Sequence, residues 1–231
     1  HEVCVASDGC GWKNYPRDIA LDRPTNSLYD GISCLLRILR HLPSFRNYDV
    51  VQLISPYFLH LRSERTLPAY HYLRRFNGKV FLGAFGTDYY YIRACMETDT
   101  YRYSDFKTGN CYRDTDFNKM TLQDWYYGGA AHATRTIAES CNGIMACLWE
   151  YYVAYQLLFP EKTAFVPLPI NLHKIVSRIR TVPEILNFFI GIQNFKDTVK
   201  GTDVMLPVLQ EVQRKHPDLC RITEVHDVPY A

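Results

Sequence analysis

The sequence predicts an α/β protein: a doubly wound sheet of parallel strands in a first unit, then the opening of a second unit built the same way. Three observations predict it. Short runs of β-branched and apolar residues alternate with stretches whose apolar residues recur every three or four positions, the β-α alternation of open parallel sheets. One of these runs, Asp49–Ile54, is apolar almost without interruption, as a parallel strand covered on both faces would be. The piece Pro167-Leu168-Pro169-Ile170-Asn171 breaks the pattern, and beyond it the order strand, helix, strand begins again. The boundaries that follow are a first unit over 1–170, a linker over 171–187 and a second unit over 188–231.

In chain order, Glu2–Ala6 reads as a strand and the Gly-, Asp- and Pro-rich stretch Ser7–Asn26 as a loop. Tyr29–Leu42 places Ile32, Leu35, Leu36, Leu39 and Leu42 at helical spacing, with Ser27 or Asp30 as N-cap and Arg37, Arg40 and His41 toward the favourable end of the dipole. After the strand Asp49–Ile54, Pro68–Phe76 reads as a helix stopped by Asn77-Gly78, a pair suited to left-handed backbone. Lys79–Leu82 is the next strand, followed by the small-residue loop Gly83–Asp88. Asp99–Gln123 is polar, aromatic and without period, and is expected to be a mobile excursion. Trp125–Ser140 reads as one helix whose glycines and alanines permit close packing. Ile144–Leu148 is then a strand, Glu150–Leu158 a helix and Thr163–Val166 a strand. In the second unit, Phe188–Ile190 is a strand, Gly191 opens a loop that Lys200-Gly201 closes, and Thr202–His216 is a helix. Val204, Met205, Val208, Leu209 and Val212 give that helix one apolar face, and Cys220–Val225 follows as a strand.

Composition excludes several classes. A net charge of +2 leaves no electrostatic footprint for nucleic acid, so no nucleic-acid partner is expected. No apolar run approaches the roughly 18 residues a membrane helix needs. The eight cysteines lack any CxxC and several sit in apolar runs, so they read as thiols of a reducing, cytoplasmic compartment rather than a disulfide set or a zinc site. There is no G-x-S-x-G, Walker A or G-x-G-x-x-G motif, which removes serine hydrolase, P-loop and dinucleotide chemistry. The chain starts at His1 in what reads as a strand and stops at Ala231 in another, so it is expected to be a piece of a longer protein.

Ligands of open α/β sheets bind at the carboxyl ends of strands, where three loops are expected: Ser55–His60, Gly83–Asp88 and Gly191–Gly201. The last leads through Lys200 and Gly201 into a helix, whose first-turn N–H groups and dipole favour an anion such as phosphate; Lys200 adds a full positive charge. Asp203 reads as a helix cap. Thr87 and Asp88 are either hydrogen-bonding partners for a ligand or turn and cap residues. His60 is an acid/base candidate or a surface histidine, and Glu150 either holds a ligand hydroxyl or stabilises a helix dipole. His132 reads as packing, and the run Tyr89-Tyr90-Tyr91 either stacks on a sugar, covers a lid or starts a helix.

These segments resemble the GT-B-fold glycosyltransferases, GT4-like. Pro167–Asn171 after a strand is similar to the family's "I-P-N-G-V-D" crossing between domains. Phe189-Ile190-Gly191 and Lys200-Gly201-Thr202-Asp203 are similar to its "V-G-R-L…K-G-x-D" donor-domain opening, and Gly86-Thr87-Asp88 to its "H-G-S-D" turn. Cys141–Ala146 is similar to its "A-D-x-v-i-a" strand. The resemblance implies a Rossmann-like acceptor-side domain and the start of a Rossmann-like donor domain. It implies a retaining, metal-independent transfer from a nucleotide-sugar to a glycan or lipid-linked acceptor, with no cofactor and with a cytoplasmic place at the inner face of the membrane. Lys200, Gly201 and Gly191 would meet the donor diphosphate, and Gly86, Thr87, Asp88, His60 and Glu150 would border the acceptor. The family's arginine after the strand glycine is absent, Ile192-Gln193-Asn194 standing there, and Phe85 replaces its histidine. Its first β-α unit and its Glu-x7-Glu segment are not within the 231 residues, so this stretch alone is not expected to be a competent enzyme. A non-catalytic relative or a GT-B sugar-nucleotide epimerase is the alternative.

Overall fold

A computed structural model describes residues 2–7, 9, 16–21, 28–59, 61, 63–171, 183–192 and 200–226. The chain divides into two compact units, His1–Leu168 and Pro169–Ala231.

The first unit is built on a four-stranded parallel sheet in the order β3-β4-β7-β8, with β3 at Val50–Leu53, β4 at Lys79–Ala84, β7 at Gly143–Ala146 and β8 at Thr163–Phe165. Strands adjacent in sequence are adjacent in space, each joined to the next by a helical crossover, as expected for a β-α alternation. The central strands are the buried ones: Val80, Leu82 and Ala84 of β4 and Ile144 and Ala146 of β7 are almost wholly inaccessible. The uninterrupted apolar run Asp49–Ile54 is instead an edge strand, and its Val50 and Gln52 are exposed. With a neighbour on one side only, β3 receives less cover than its composition suggests.

Between the strands lie α2 (Ser63–Phe76), α3 (Tyr89–Glu97), α4 (Asp116–Trp125), α5 (Gly129–Ser140) and α6 (Trp149–Gln156). Helix α2 starts five residues before Pro68 and tolerates it inside, at the cost of about one backbone hydrogen bond. It packs on α5, whose buried Ala130, Ala131, Ala133 and Ala138 present little side-chain bulk. The Tyr70 hydroxyl, 2.7 Å from Ser140 Oγ and 3.3 Å from the Ile137 carbonyl, fastens α2 to α5. Leu53, Leu73, Leu82, Tyr90, Ile137, Ile144 and Tyr155 share this core.

Two sequence expectations are corrected here. The stretch Asp99–Gln123 is no mobile excursion. It holds a short hairpin, β5 (Lys107–Thr108) with β6 (Cys111–Tyr112), and most of α4, which Thr115 caps by accepting from the Asn118 N–H at 3.2 Å. Phe106 is fully buried against Tyr91, Ile92, Cys95 and Leu122, and Asn118, also buried, donates to the carbonyls of Asp105 and Arg113. The single helix expected over Trp125–Ser140 is broken at Tyr126–Gly128. Gly128 turns so close over the end of α4 that a Cβ there would lie 2.7 Å from the Gln123 carbonyl oxygen.

The Asn77-Gly78 pair also works differently from expectation, since neither residue has a positive φ. The Asn77 side chain accepts from Tyr48 N–H at 2.9 Å and donates to the carbonyls of Phe45 and Leu73, tying the end of α2 to the start of β3. A Cβ on Gly78 would stand 2.5 Å from the Asp49 carbonyl oxygen. Asn142-Gly143 repeats the device before β7: Asn142 accepts from Val80 N–H at 2.8 Å, and Gly143 makes room for the Phe81 ring.

At the front of the unit, β1 (Ala6–Ser7) and β2 (Ile19–Ala20) pair in parallel, so the strand expected over Glu2–Ala6 overlaps β1 at Ala6 alone and the loop expected over Ser7–Asn26 contains β2. Helix α1 (Leu28–His41) buries Cys34 and Ile38 with Leu21, Leu59 and Leu61. The described cysteines are all free thiols.

The second unit holds β9 (Leu186–Ile192), a helix we label α7 (Thr202–Lys215) and β10 (Cys220–His226). The strands pair in parallel from Leu186↔Cys220 to Ile192↔His226. Ile190, Ile192, Thr202 and Cys220 are buried, whereas Val204, Met205, Val208 and Val212 of the expected apolar face of α7 stand exposed. A two-stranded sheet offers too little surface to cover that face.

Candidate functional site

In the first unit the carboxyl ends of β4 and β7 bring together most of the residues expected there. β4 runs into Phe85-Gly86-Thr87, and Asp88 caps α3. The cap is made by Asp88 Oδ1, which accepts from the N–H groups of Tyr90 at 2.9 Å and Tyr91 at 3.1 Å. Its other oxygen accepts from the Tyr155 hydroxyl of α6 at 2.7 Å. Both oxygens are thus engaged within the fold, and the carboxyl is only 2% exposed. Burial pushes the Asp88 pKa up to about 6, against the opposing pull of the Tyr155 hydroxyl and the two N–H donors. Burial, then the neighbouring Asp88 charge, holds the Tyr155 phenol well above its ordinary value.

Thr87 faces Tyr151, whose phenol burial pushes up to about 12 while the Thr87 hydrogen bond opposes the shift. Gly86 differs from Gly83, three residues earlier. A Cβ on Gly83 would meet the carbonyl oxygens of Leu53 and Ile54 at 2.8 Å, whereas one on Gly86 would meet nothing within 4 Å. Gly86 does not have a positive φ either, so neither backbone strain nor crowding requires glycine there. Glu150 lies in the first turn of α6, where its charge complements the dipole, and its carbonyl accepts from the Tyr101 hydroxyl. His60 lies outside the described residues.

The second unit places Lys200 and Gly201 side by side at the start of α7. Gly201 is its N-cap in left-handed backbone, φ 71° and ψ 13°, and offers no side chain to cap the first turn. Its carbonyl accepts from the N–H groups of Val204 and Met205 at 3.2 and 3.0 Å. Lys200 is exposed. Asp203, expected as the cap, is one residue inside the helix, in its first turn. Gly191 does not open a loop: it lies in β9, paired with Val225, and the strand continues to Ile192. A Cβ there would meet only the Phe189 ring, at 4.0 Å, so the strand does not require glycine at this position. Residues 193–199, with Gln193 and Asn194, are outside the described residues. The segment thus sets an exposed lysine beside a helix start whose cap has no side chain.

Sequence reasoning missed Tyr155, which lies 67 residues from Asp88 and sits in an aromatic run with no motif. It also placed His132 in the packing, whereas His132 is exposed near the start of α5. Among the described residues, no group of three or more His, Cys, Asp or Glu side chains is arranged to hold a metal ion, and no helix is long and apolar enough to cross a membrane. No protein-family model matches the chain, and neither a curated protein nor a solved structure matches it significantly.

Proposed function

We propose that the chain belongs to a GT-B-type, GT4-like glycosyltransferase that moves a sugar from a nucleotide-sugar donor to a glycan or lipid-linked acceptor, with retention and without a metal. The observation that carries the reading is the start of α7: Lys200 and the left-handed Gly201 stand where a parallel β-α-β unit turns into its helix. In such a transfer the bond from the anomeric carbon to the donor diphosphate breaks, and negative charge grows on the departing oxygen. The acceptor oxygen forms the new bond and its proton passes to the leaving diphosphate. A lysine ammonium and the positive end of a helix dipole stabilise that growing charge without needing to reorganise. Gly86, Thr87 and Glu150 supply the acceptor side in this reading. Asp88 is its support rather than a contact, since its oxygens are already engaged. The working location is the cytoplasm, at the inner face of the membrane where lipid-linked acceptors reside.

Calorimetric titration of UDP-glucose, GDP-mannose and ADP-glucose into the protein and its Lys200→Ala variant tests the assignment. A charge-assisted contact to diphosphate is worth about 1.5–3 kcal/mol, so the variant should bind roughly ten- to a hundredfold more weakly. Equal affinity for both proteins removes Lys200 from the site.

A further inference from the structure

We propose that the solvent face of α1, with the cations around its C-terminal end, is a docking surface for an anionic lipid bilayer, on which the helix lies in the plane of the membrane. The surface rests on exposure and charge and does not depend on Lys200 or on the nucleotide-sugar assignment.

Helix α1 carries apolar residues on its outward side as well as its inward one. Cys34 and Ile38 face inward and share a small core with Leu21, Leu59 and Leu61. The exposed side chains described in α1 are Tyr29, Ile32, Leu35, Leu36, Leu39 and Arg40. At about 100° per residue they occupy one continuous arc of roughly 140°. Five of the six are aliphatic or aromatic, and these are 38% to 79% exposed. A helix that merely borders water turns polar side chains outward. An outward row of Ile and Leu marks a surface that meets something apolar.

Cations border this row. The 3₁₀ turn Leu42–Phe45 leads from α1 to Arg46. There the Tyr72 hydroxyl donates to the Leu42 carbonyl at 2.9 Å, while the Arg46 guanidinium donates to the Tyr72 hydroxyl and lies 4.5 Å over the Phe76 ring. These contacts bring the end of α1 against the end of α2, which carries Arg74 and Arg75 in its last turn, with Lys79 just beyond. Residues 28–49 and 71–79 together hold six Lys and Arg against two Asp, whereas the rest of the chain holds 20 Lys and Arg against 22 Asp and Glu. The positive charge is therefore concentrated here. Among the described residues, no carboxylate pairs with Arg40, Arg46, Arg74, Arg75 or Lys79.

An anionic bilayer matches both parts of the surface. Acyl chains receive the Ile and Leu side chains, headgroup phosphates receive the arginines, and a tyrosine such as Tyr29 suits the boundary between them. The 14 residues of α1 span about 21 Å, less than the roughly 30 Å of a hydrocarbon core, so the helix lies along the membrane rather than across it. A second copy of the chain fits less well. Two-fold pairing of α1 with α1 would turn both Arg40 side chains toward one apolar seam and set like charges together. Nucleic acid would meet the cations and leave the five apolar side chains in water.

The test is co-sedimentation of the protein with vesicles of equal parts phosphatidylglycerol and phosphatidylcholine, and with vesicles of phosphatidylcholine alone. The expected result is binding to the anionic vesicles that falls with added salt and is much weaker on the neutral ones. Leu36→Glu/Leu39→Glu should reduce partitioning by about a hundredfold, and Arg74→Ala/Arg75→Ala by about thirtyfold. All of these side chains are exposed, so melting temperatures should match the wild type. No binding to the anionic vesicles, equal binding to both kinds, or binding indifferent to the leucine pair overturns the proposal. So does a wild-type dimer in analytical ultracentrifugation that the leucine pair converts to monomer, since a second copy would then cover α1. UDP-glucose titrated into the same variants reads the nucleotide-sugar assignment separately: lost vesicle binding with retained UDP-glucose binding sinks the membrane surface alone, and the reverse sinks the donor site alone.

Discussion

Asp88 keeps a carboxyl group in the dry floor beneath the Gly86-Thr87 turn, held by two N–H groups and one phenol. Its folded pKa of about 6 lies above its ordinary value of 3.8, so the folded state binds the proton more tightly than the unfolded chain. The sign follows: the contribution of Asp88 to stability is complete below about pH 4 and is lost as the pH rises through about 6. The swing is on the order of 3 kcal/mol. Asp88→Asn retains an oxygen to cap α3 and removes the titration. Urea unfolding at a series of pH values should therefore show a fall in stability between pH 4 and 7 in the wild type that is absent from the variant. Parallel curves for both proteins would contradict the burial of a titrating group here. The sequence left Asp88 between a ligand contact and a helix cap, and the fold uses it as the cap. The tyrosine that fills its second oxygen was not legible, because proximity across 67 residues leaves no local trace.

At the scale of elements, the Asn-Gly pairs show how residue type and role diverge. Both were visible as helix breakers at the right places. Their use was not: each asparagine bridges to a neighbouring segment, and each glycine lets another part of the chain come within contact distance. Gly78→Ala should therefore destabilise the protein by about 1–3 kcal/mol, because the Asp49 carbonyl in its path is backbone and cannot rotate away. A denaturation midpoint equal to the wild type would refute that account. The central strands and the β-α-β order of the second unit were legible because period and breakers agree there, whereas the break that starts α5 at Gly129 was not. The hairpin and α4 were hidden: Phe106 and Asn118 form their small core through contacts that no periodicity announces. At the candidate anion site, Lys200 and Gly201 were legible as a helix entrance, whereas Gly191 was misplaced because a glycine inside a strand looks like a loop start until its partner Val225 is known.

At the scale of the molecule, the two units differ in how much structure shields them. In the first, β4 is hydrogen-bonded to β3 on one side and to β7 on the other, and core side chains from α2, α3, α5 and α6 pack around it. In the second, β9 and β10 have only each other among the described residues. Hydrogen exchange in deuterated water converts this difference into time. Amide protons of Val80, Leu82 and Ala84 can be released only when the whole four-stranded sheet opens, so their exchange should report global unfolding. Those of β9 and β10 should be lost through smaller, local openings. Mass spectrometry of exchanged peptides should show the 79–84 segment retaining protons longest, with β3 and β8 behind it and the second unit exchanging first. Equal protection in β4 and β9 would mean that the units open together. The order of loss thus makes β4 the slowest clock among the described strands.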